Sequence, residues 1–405
     1  MPTLLPIFLI VLVDVFGMTL VIPLMPRYAE NLSASPLQVT LLFSVFSLCM
    51  LISGPILGRI SDRTGRKKML LVSQAGTLVG FLLMAQARTL WVLYVARIID
   101  GVTAGNLSLA QASIADNTAP ENRTKAFALI GIAFGVGFFV GPALTGWLSH
   151  YSLEAPIYLA AVMSATSILF TLFLLPADTP THRPVDNPGP GGRRLGIFSW
   201  HLYAELFRRP VMGGLLMQFF WFAFAFSTLI SGFALYAERT FTWEGHPFSP
   251  REIGFLFAYS GFLGIILQGG LIGRLVKRFG DPALVAAAFV FAMVAYFVYG
   301  VVDTIPLLIV AVTISAFGSG LLRPTLTSLV TQTAARHEQG LVLGLTQSLM
   351  SVASIIAPLL GGFLIEHHHL TAWAWTAALA SLFGLVGVRW GSGRVNRANP
   401  SSSSG

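Results

Sequence analysis

Four charged side chains lie within long apolar stretches of this 405-residue chain: Asp14, Arg97, Asp100 and Arg323. A charge among hydrocarbon side chains costs free energy and by default marks an ion or proton path. Asp14 sits about ten residues into its apolar run, which as helix is near the centre of a bilayer. A carboxyl removed from water favours its neutral form, so an acid at that depth suits proton uptake and release. The rival reading is a carboxylate held permanently by hydrogen bonds. Arg97 and Asp100 are three residues apart, so they share one helical face and offset each other's burial. The pair either tunes a nearby proton site or serves packing alone, and Asp100 is itself a second acid for proton or cation binding. Arg323 lies in Gly318-Ser319-Gly320-Leu321-Leu322-Arg323-Pro324, about eight residues from the inner end of its run, roughly 12 Å as helix. From there it either reaches the interface or faces a central cavity and attracts an anionic or zwitterionic substrate.

The elements that must position these groups follow from composition. Hydrophobic residues make up 55% of the chain and charged residues only 10%, against roughly 25% charged in a soluble domain. Such a chain belongs in a bilayer. Its apolar runs are continuous rather than alternating, which excludes an outer-membrane barrel. Reading for uncharged runs predicts an all-α fold of twelve transmembrane helices at about 4–25, 38–58, 69–87, 90–114, 125–148, 155–175, 211–236, 252–273, 282–301, 305–330, 338–364 and 371–388. Of the 25 Lys and Arg residues, nineteen then fall in loops on one side and four on the other, which places both termini in the cytoplasm. The same distribution removes the nucleic-acid partner that a net charge of +8 invites, because the basic residues are spread as topology signals. The single Cys49 excludes an internal disulfide framework.

The longest polar interruption, 177–210, is rich in Pro and Gly and ends in a stretch suited to an interfacial helix. It divides the chain into an N-terminal six-helix bundle (1–176), a cytoplasmic linker (177–210), a C-terminal six-helix bundle (211–392) and a disordered tail (393–405). The halves echo each other. Gly58-x-x-x-Asp62-Arg63-x-Gly65 is repeated as Gly273-x-x-x-Lys277-Arg278-x-Gly280, and Gly141-Pro142 as Ala357-Pro358, at offsets of 215 and 216 residues. Duplicated halves with a site between them are the build of secondary transporters.

On these residues the sequence resembles the major facilitator superfamily, and within it the twelve-span drug:proton antiporters that include the tetracycline efflux proteins. The inner-loop motif Gly58-Arg59-Ile60-Ser61-Asp62-Arg63-Thr64-Gly65-Arg66-Lys67-Lys68 is close to the family pattern. The resemblance makes Gly58, Asp62, Arg63, Gly65 and Arg66 a conformational switch: a glycine turn with arginines that pair with acids in one state and release them in the other, Asp116 being the expected partner. The plainer account of these cations is the positive-inside rule. Asp14-x-x-Gly17-x-x-Leu20-x-x-Pro23-x-x-Pro26 and Arg97-x-x-x-Gly101 also match the antiporter group. Gly131, Gly135, Gly141, Pro142 and Gly146 resemble the fifth-span motif of exporting members, where close packing and a proline bend would seal one end of the path.

The resemblance implies proton-coupled efflux of small amphipathic or lipophilic compounds by a monomer in the bacterial cytoplasmic membrane, driven by the proton motive force without a cofactor. Its partners are then a small-molecule substrate, protons and the lipid bilayer. The alternatives are a same-fold exporter or flippase of a metabolite or lipid with an anionic or zwitterionic head, and a non-transporting membrane sensor. Unlike the tetracycline pumps, the chain has no acid within its third or ninth span, which puts tetracycline itself in doubt. Arg323, Gln218, Trp221, Phe222 and Gln347 are the candidate cavity residues. No phosphate loop, metal-binding helix or nucleophile elbow is evident, so neither ATP-driven transport nor hydrolase chemistry is expected.

Overall fold

The computed structural model describes residues 4–117, 123–175, 200–334 and 338–398. The first half comprises α1 (Leu4–Val21), α2 (Met25–Glu30), α3 (Pro36–Thr64), α4 (Arg66–Ala85), α5 (Leu90–Thr103), α6 (Asn106–Asn117), α7 (Arg123–Leu148) and α8 (Ala155–Leu174). The second comprises α10 (Pro210–Thr240), α11 (Pro250–Ile266), α12 (Ile272–Phe279), α13 (Asp281–Tyr299), α14 (Ile305–Thr333), α15 (Gln339–Glu366) and α16 (Leu370–Ala398). A short helix, α9 (Trp200–Arg208), precedes it where the sequence predicts an interfacial helix, and a two-stranded hairpin joins α10 to α11. Most of the linker and the last residues of the tail, both named above, lie outside the described residues, as does the side chain of Asp116.

With α5–α6 and α11–α12 each counted as one broken rod and the short α2 and α9 set aside, the helices form twelve rods. Ten are long and apolar enough to cross a bilayer; α1 is shorter, and the fourth rod is split after Thr103. Helix is the form that lets an apolar run satisfy its own backbone in lipid. Large apolar side chains such as Trp91 and Phe173 cover the outside, which suits contact with acyl chains.

Equivalent helices start and stop alike in the two halves. Ser35 and Ser249 each cap a helix with proline at its first turn and close a capping box with Gln38 and Glu252, pairing backbone donors that lipid cannot satisfy. Gly65 (φ 102°) and Gly280 (φ 76°) each turn the chain into the next helix, a conformation that excludes a side chain at low cost. The inner-loop motif's turn is therefore Gly65. Gly58 lies inside α3 with open space where its side chain would be.

The break in the fourth rod is stapled by Ser73 of α4. Its hydroxyl donates to the Thr103 carbonyl and accepts from the Gly105 amide at 2.9 Å, so both groups freed by the break stay paired. A π turn, Leu267–Leu271, separates α11 from α12.

Within the first half α1 packs on α7 and α8, and α4 on α5 and α8; within the second α10 packs on α15 and α16, and α13 on α14 and α16. The halves meet through α7 on α11 and α3 on α15. These contacts lie toward the end away from the basic loops. There a Cβ on Gly254 would stand 2.5 Å from the Pro142 carbonyl, one on Gly146 2.9 Å from the Arg251 carbonyl, and one on Gly362 2.9 Å from the Leu37 Cα. Toward the basic loops Gly54, Gly58, Gly131, Gly269, Gly270, Gly273 and Gly344 face open space, and α12 buries no residue. The two halves are closed at one end and parted at the other.

Candidate functional site

Asp14 of α1 has both carboxylate oxygens out of solvent, and the side chain placed to donate to them is the Ser167 hydroxyl of α8. That hydroxyl accepts from the Gln74 amide of α4 at 2.7 Å. The Gln74 carbonyl oxygen is buried without a partner. Asp100 of α5 lies within electrostatic reach of Asp14. Its own carboxylate stands 3.5 Å from the Arg97 guanidinium, which lies over the Phe46 ring at 5.6 Å from the centroid. The structure thus brings the three predicted proton-site residues into one cluster and adds Gln74 and Ser167. Ser164, Ser167 and Thr171 recur along one face of α8 and all are buried; that polar stripe in an otherwise apolar run was the sequence signal for the addition.

In the inner-loop motif Arg66 pairs with Asp62 at 2.6 Å and donates to Ser61. Lys67 donates to the Leu172 and Leu175 carbonyls, at 2.8 and 2.6 Å, and so caps the C-terminus of α8, where a cation is favoured.

The fifth-span residues do separate things. Gly141 admits the Thr19 side chain of α1, and Gly146 and Pro142 meet α11 of the other half. Gly135 stands near Ile265 of α11, and Gly131 meets nothing. The matching glycines of α11, Gly254 and Gly261, complete the contact, the latter against the Phe138 carbonyl.

Arg323 does not snorkel to the interface: its guanidinium lies over the Phe134 ring of α7 in the other half, 5.2 Å from the centroid. Of the other cavity candidates, Gln218 and Trp221 turn away from the cleft. Gln218 packs on Gly387 and Trp221 on Phe383, both of α16. Residues three apart share a helical face, and this face of α10 turns inward to its own half. Phe222 is buried in the core, and Gln347 is exposed on α15.

At the closed end the halves are clamped by charge. Arg27 of α2 pairs with Glu238 of α10 at 2.6 Å, and Arg239 pairs with Glu30 in the reciprocal sense. The Glu366 carboxylate of α15 accepts from the Ser35 hydroxyl at 2.9 Å and the Leu37 amide at 3.1 Å at the start of α3, where a helix N-terminus favours an anion. Ion pairs at an accessible end contribute about 0.2–1 kcal/mol each. Arg27→Glu is therefore expected to shift the closed-to-open ratio of this end by about two- to fivefold, and Arg27→Glu with Glu238→Arg to restore it; transport rates of the two variants check this.

Two pseudo-symmetric helical bundles, closed together at one end and parted at the other, with charge buried at their centre, define a secondary transporter. The chain belongs to the Major Facilitator Superfamily, whose profile matches residues 7–282 and 245–404. It is 29% identical over 384 residues to the class B tetracycline resistance protein of Escherichia coli, covering 92% of this chain and 91% of that one. It is 26% identical over 365 residues to multidrug resistance protein 2 of Bacillus subtilis, covering 89% of each. Its fold is similar to that of the human organic anion transporter MFSD10 (TM-score 0.72, 24% identity, 96% of this chain and 99% of that one). The protein is an integral inner-membrane transporter, not an enzyme, and its homologues include tetracycline and multidrug efflux proteins.

Proposed function

We propose that the protein exports small amphipathic or lipophilic compounds in exchange for protons, by alternating access. The observation that carries this reading is the cluster around Asp14. Both Asp14 oxygens and the Gln74 carbonyl are buried, and among the described residues the one donor beside the carboxylate is the Ser167 hydroxyl. Leaving a buried acceptor unpaired is costly, and a proton on Asp14 supplies a further donor. With the basic loops in the cytoplasm, the form described is open inward and clamped outward. In the outward-open form Asp14 takes a proton; closure carries it across, and cargo binding with proton release inside resets the cycle. Glycines Gly54, Gly58, Gly131, Gly269 and Gly344, idle in this form, provide flat surfaces for closing the inner end, as their counterparts do outside.

The energetics suffice. One pH unit is worth about 1.4 kcal/mol per proton and 100 mV about 2.3 kcal/mol per charge, so one proton supports an outward gradient of a few hundredfold. Relatives named for tetracycline and multidrug resistance support the outward direction. The absence of acids from the third span, and from the ninth beyond Asp281 at its start, favours a broader cargo than tetracycline.

The test is a compound screen in cells stripped of their own efflux pumps. Expression is expected to lower accumulation of at least one amphipathic compound, and a protonophore to abolish the difference. Equal accumulation across the panel, with and without protonophore, would overturn the reading.

A further inference from the structure

The geometry points to Arg323 as the binding group for an anionic substituent of the cargo, at the apex of the cleft between the two halves. This rests on the reading of the cleft as the cargo path. Among the glycines of α7, Gly135 is the last toward the basic end with a neighbour on α11, a Cβ there lying 3.4 Å from Ile265. Phe134, one residue further toward the basic end, carries the Arg323 guanidinium on its ring. One turn beyond, Gly131 meets nothing within 4 Å. The cation therefore stands where contact between the halves ends and the cleft begins.

The backbone is irregular at the same level. Leu267, which opens the π turn between α11 and α12, packs on Gly320 of α14, one turn before Arg323. Pro324 then removes a donor from the α14 ladder and frees the Gly320 carbonyl. Irregular backbone at membrane depth is tolerated where it lines a cavity, and π turns recur at functional sites.

Charge completes the argument. Arg97 has its counter-ion in Asp100, whereas Arg323 has no carboxylate within ion-pair distance among the described residues. The Phe134 ring face offsets part of its charge, and a guanidinium keeps a planar fork of donors suited to a carboxylate, sulfonate or phosphate oxygen pair. Phe134 with Phe138, and Phe139 with Phe262 across the halves at 5.7 Å, suit an aromatic or lipophilic body attached to that anion. The cargo class is an amphipathic organic anion or zwitterion.

Two dyes that share a xanthene ring but differ in charge, anionic fluorescein and cationic rhodamine 6G, test the site by fluorescence anisotropy on the purified full-length protein. Wild type is expected to bind fluorescein. Arg323→Gln is expected to weaken that binding about tenfold or more and Arg323→Lys to weaken it less, with rhodamine 6G affected by no more than about twofold. No fluorescein binding by the wild type, or equal losses for both dyes, would overturn the proposal. If Arg323→Gln does not fold, Arg323→Lys and Phe134→Leu carry the same comparison between dyes. Proteoliposome flux separates the two readings. Fluorescein that binds at Arg323 but is not moved under any gradient would overturn the transport reading and leave the anion site standing. Proton-driven export of rhodamine 6G with no fluorescein binding would do the reverse.

Discussion

Replacing Asp14 by Asn is expected to leave a folded protein that no longer accumulates cargo against a pH gradient, because it is held in the proton-carrying limb of the cycle. Asn matches the carboxyl in shape, and its amide supplies hydrogen atoms to a cluster that has acceptors to spare, Gln74 among them. The substitution therefore mimics the protonated form without the ability to give the proton up. The coupled gradient, a few hundredfold at one pH unit and 100 mV, should collapse to near unity, and exchange of labelled for unlabelled cargo should slow as well, because cargo binding requires release of the proton. Proteoliposomes with an imposed pH step measure both. An Asp14→Asn protein that still concentrates cargo in response to the pH step would remove Asp14 from the coupling mechanism. The wild-type rate should also depend on pH, and that dependence should weaken in the variant.

Gly254→Val is expected to abolish transport by a different route, leaving the cluster around Asp14 untouched. A side chain at Gly254 would meet the Pro142 carbonyl at 2.5 Å and the Gly146 amide nitrogen at 2.9 Å. Both are backbone atoms, so no rotamer change relieves the clash and α11 must move away from α7. Overpacking of this kind costs about 1–3 kcal/mol, enough to lower the population of the outward-closed form about five- to 150-fold. Net transport should fall by roughly tenfold or more. The outer end should open correspondingly, read as faster labelling of Thr40→Cys, buried against Gly362 of the other half in the closed form, in a background with Cys49 replaced by Ala, by an impermeant maleimide. Unchanged labelling with unchanged transport would mean that this contact does not seal the outer end.

Much of the fold was legible because a bilayer leaves an apolar run little choice but helix. The rods and the internal repeat follow from hydropathy and spacing, and the paired Ser-Pro helix starts at Ser35 and Ser249 extend the repeat. Less legible was everything that depends on which side of a rod faces which neighbour. The aromatic run of α10 offered Gln218 and Trp221 as cavity residues, yet in a helix ringed by apolar side chains the sequence carries no moment to orient it, and packing turns that face to α16. The split of the fourth rod was missed because its repair, the Ser73 hydroxyl, lies on another helix. Lys67 read as a topology charge and proved to be a helix cap as well.

The sequence by itself determined that the chain spans a membrane as two repeated bundles, and that Asp14, Arg97, Asp100 and Arg323 are the charges placed at depth. Burying a charge is costly wherever the chain goes, so such residues stand out one at a time. The sequence also paired Arg97 with Asp100, three residues apart on one helix; only the tertiary structure decided the partners of the other two, Asp14 beside Ser167 and Gln74, and Arg323 over a ring of the opposite half. Partnership of that kind depends on distances of a few ångströms between helices far apart in sequence, and those are set by packing across the two bundles rather than by any local pattern of residues.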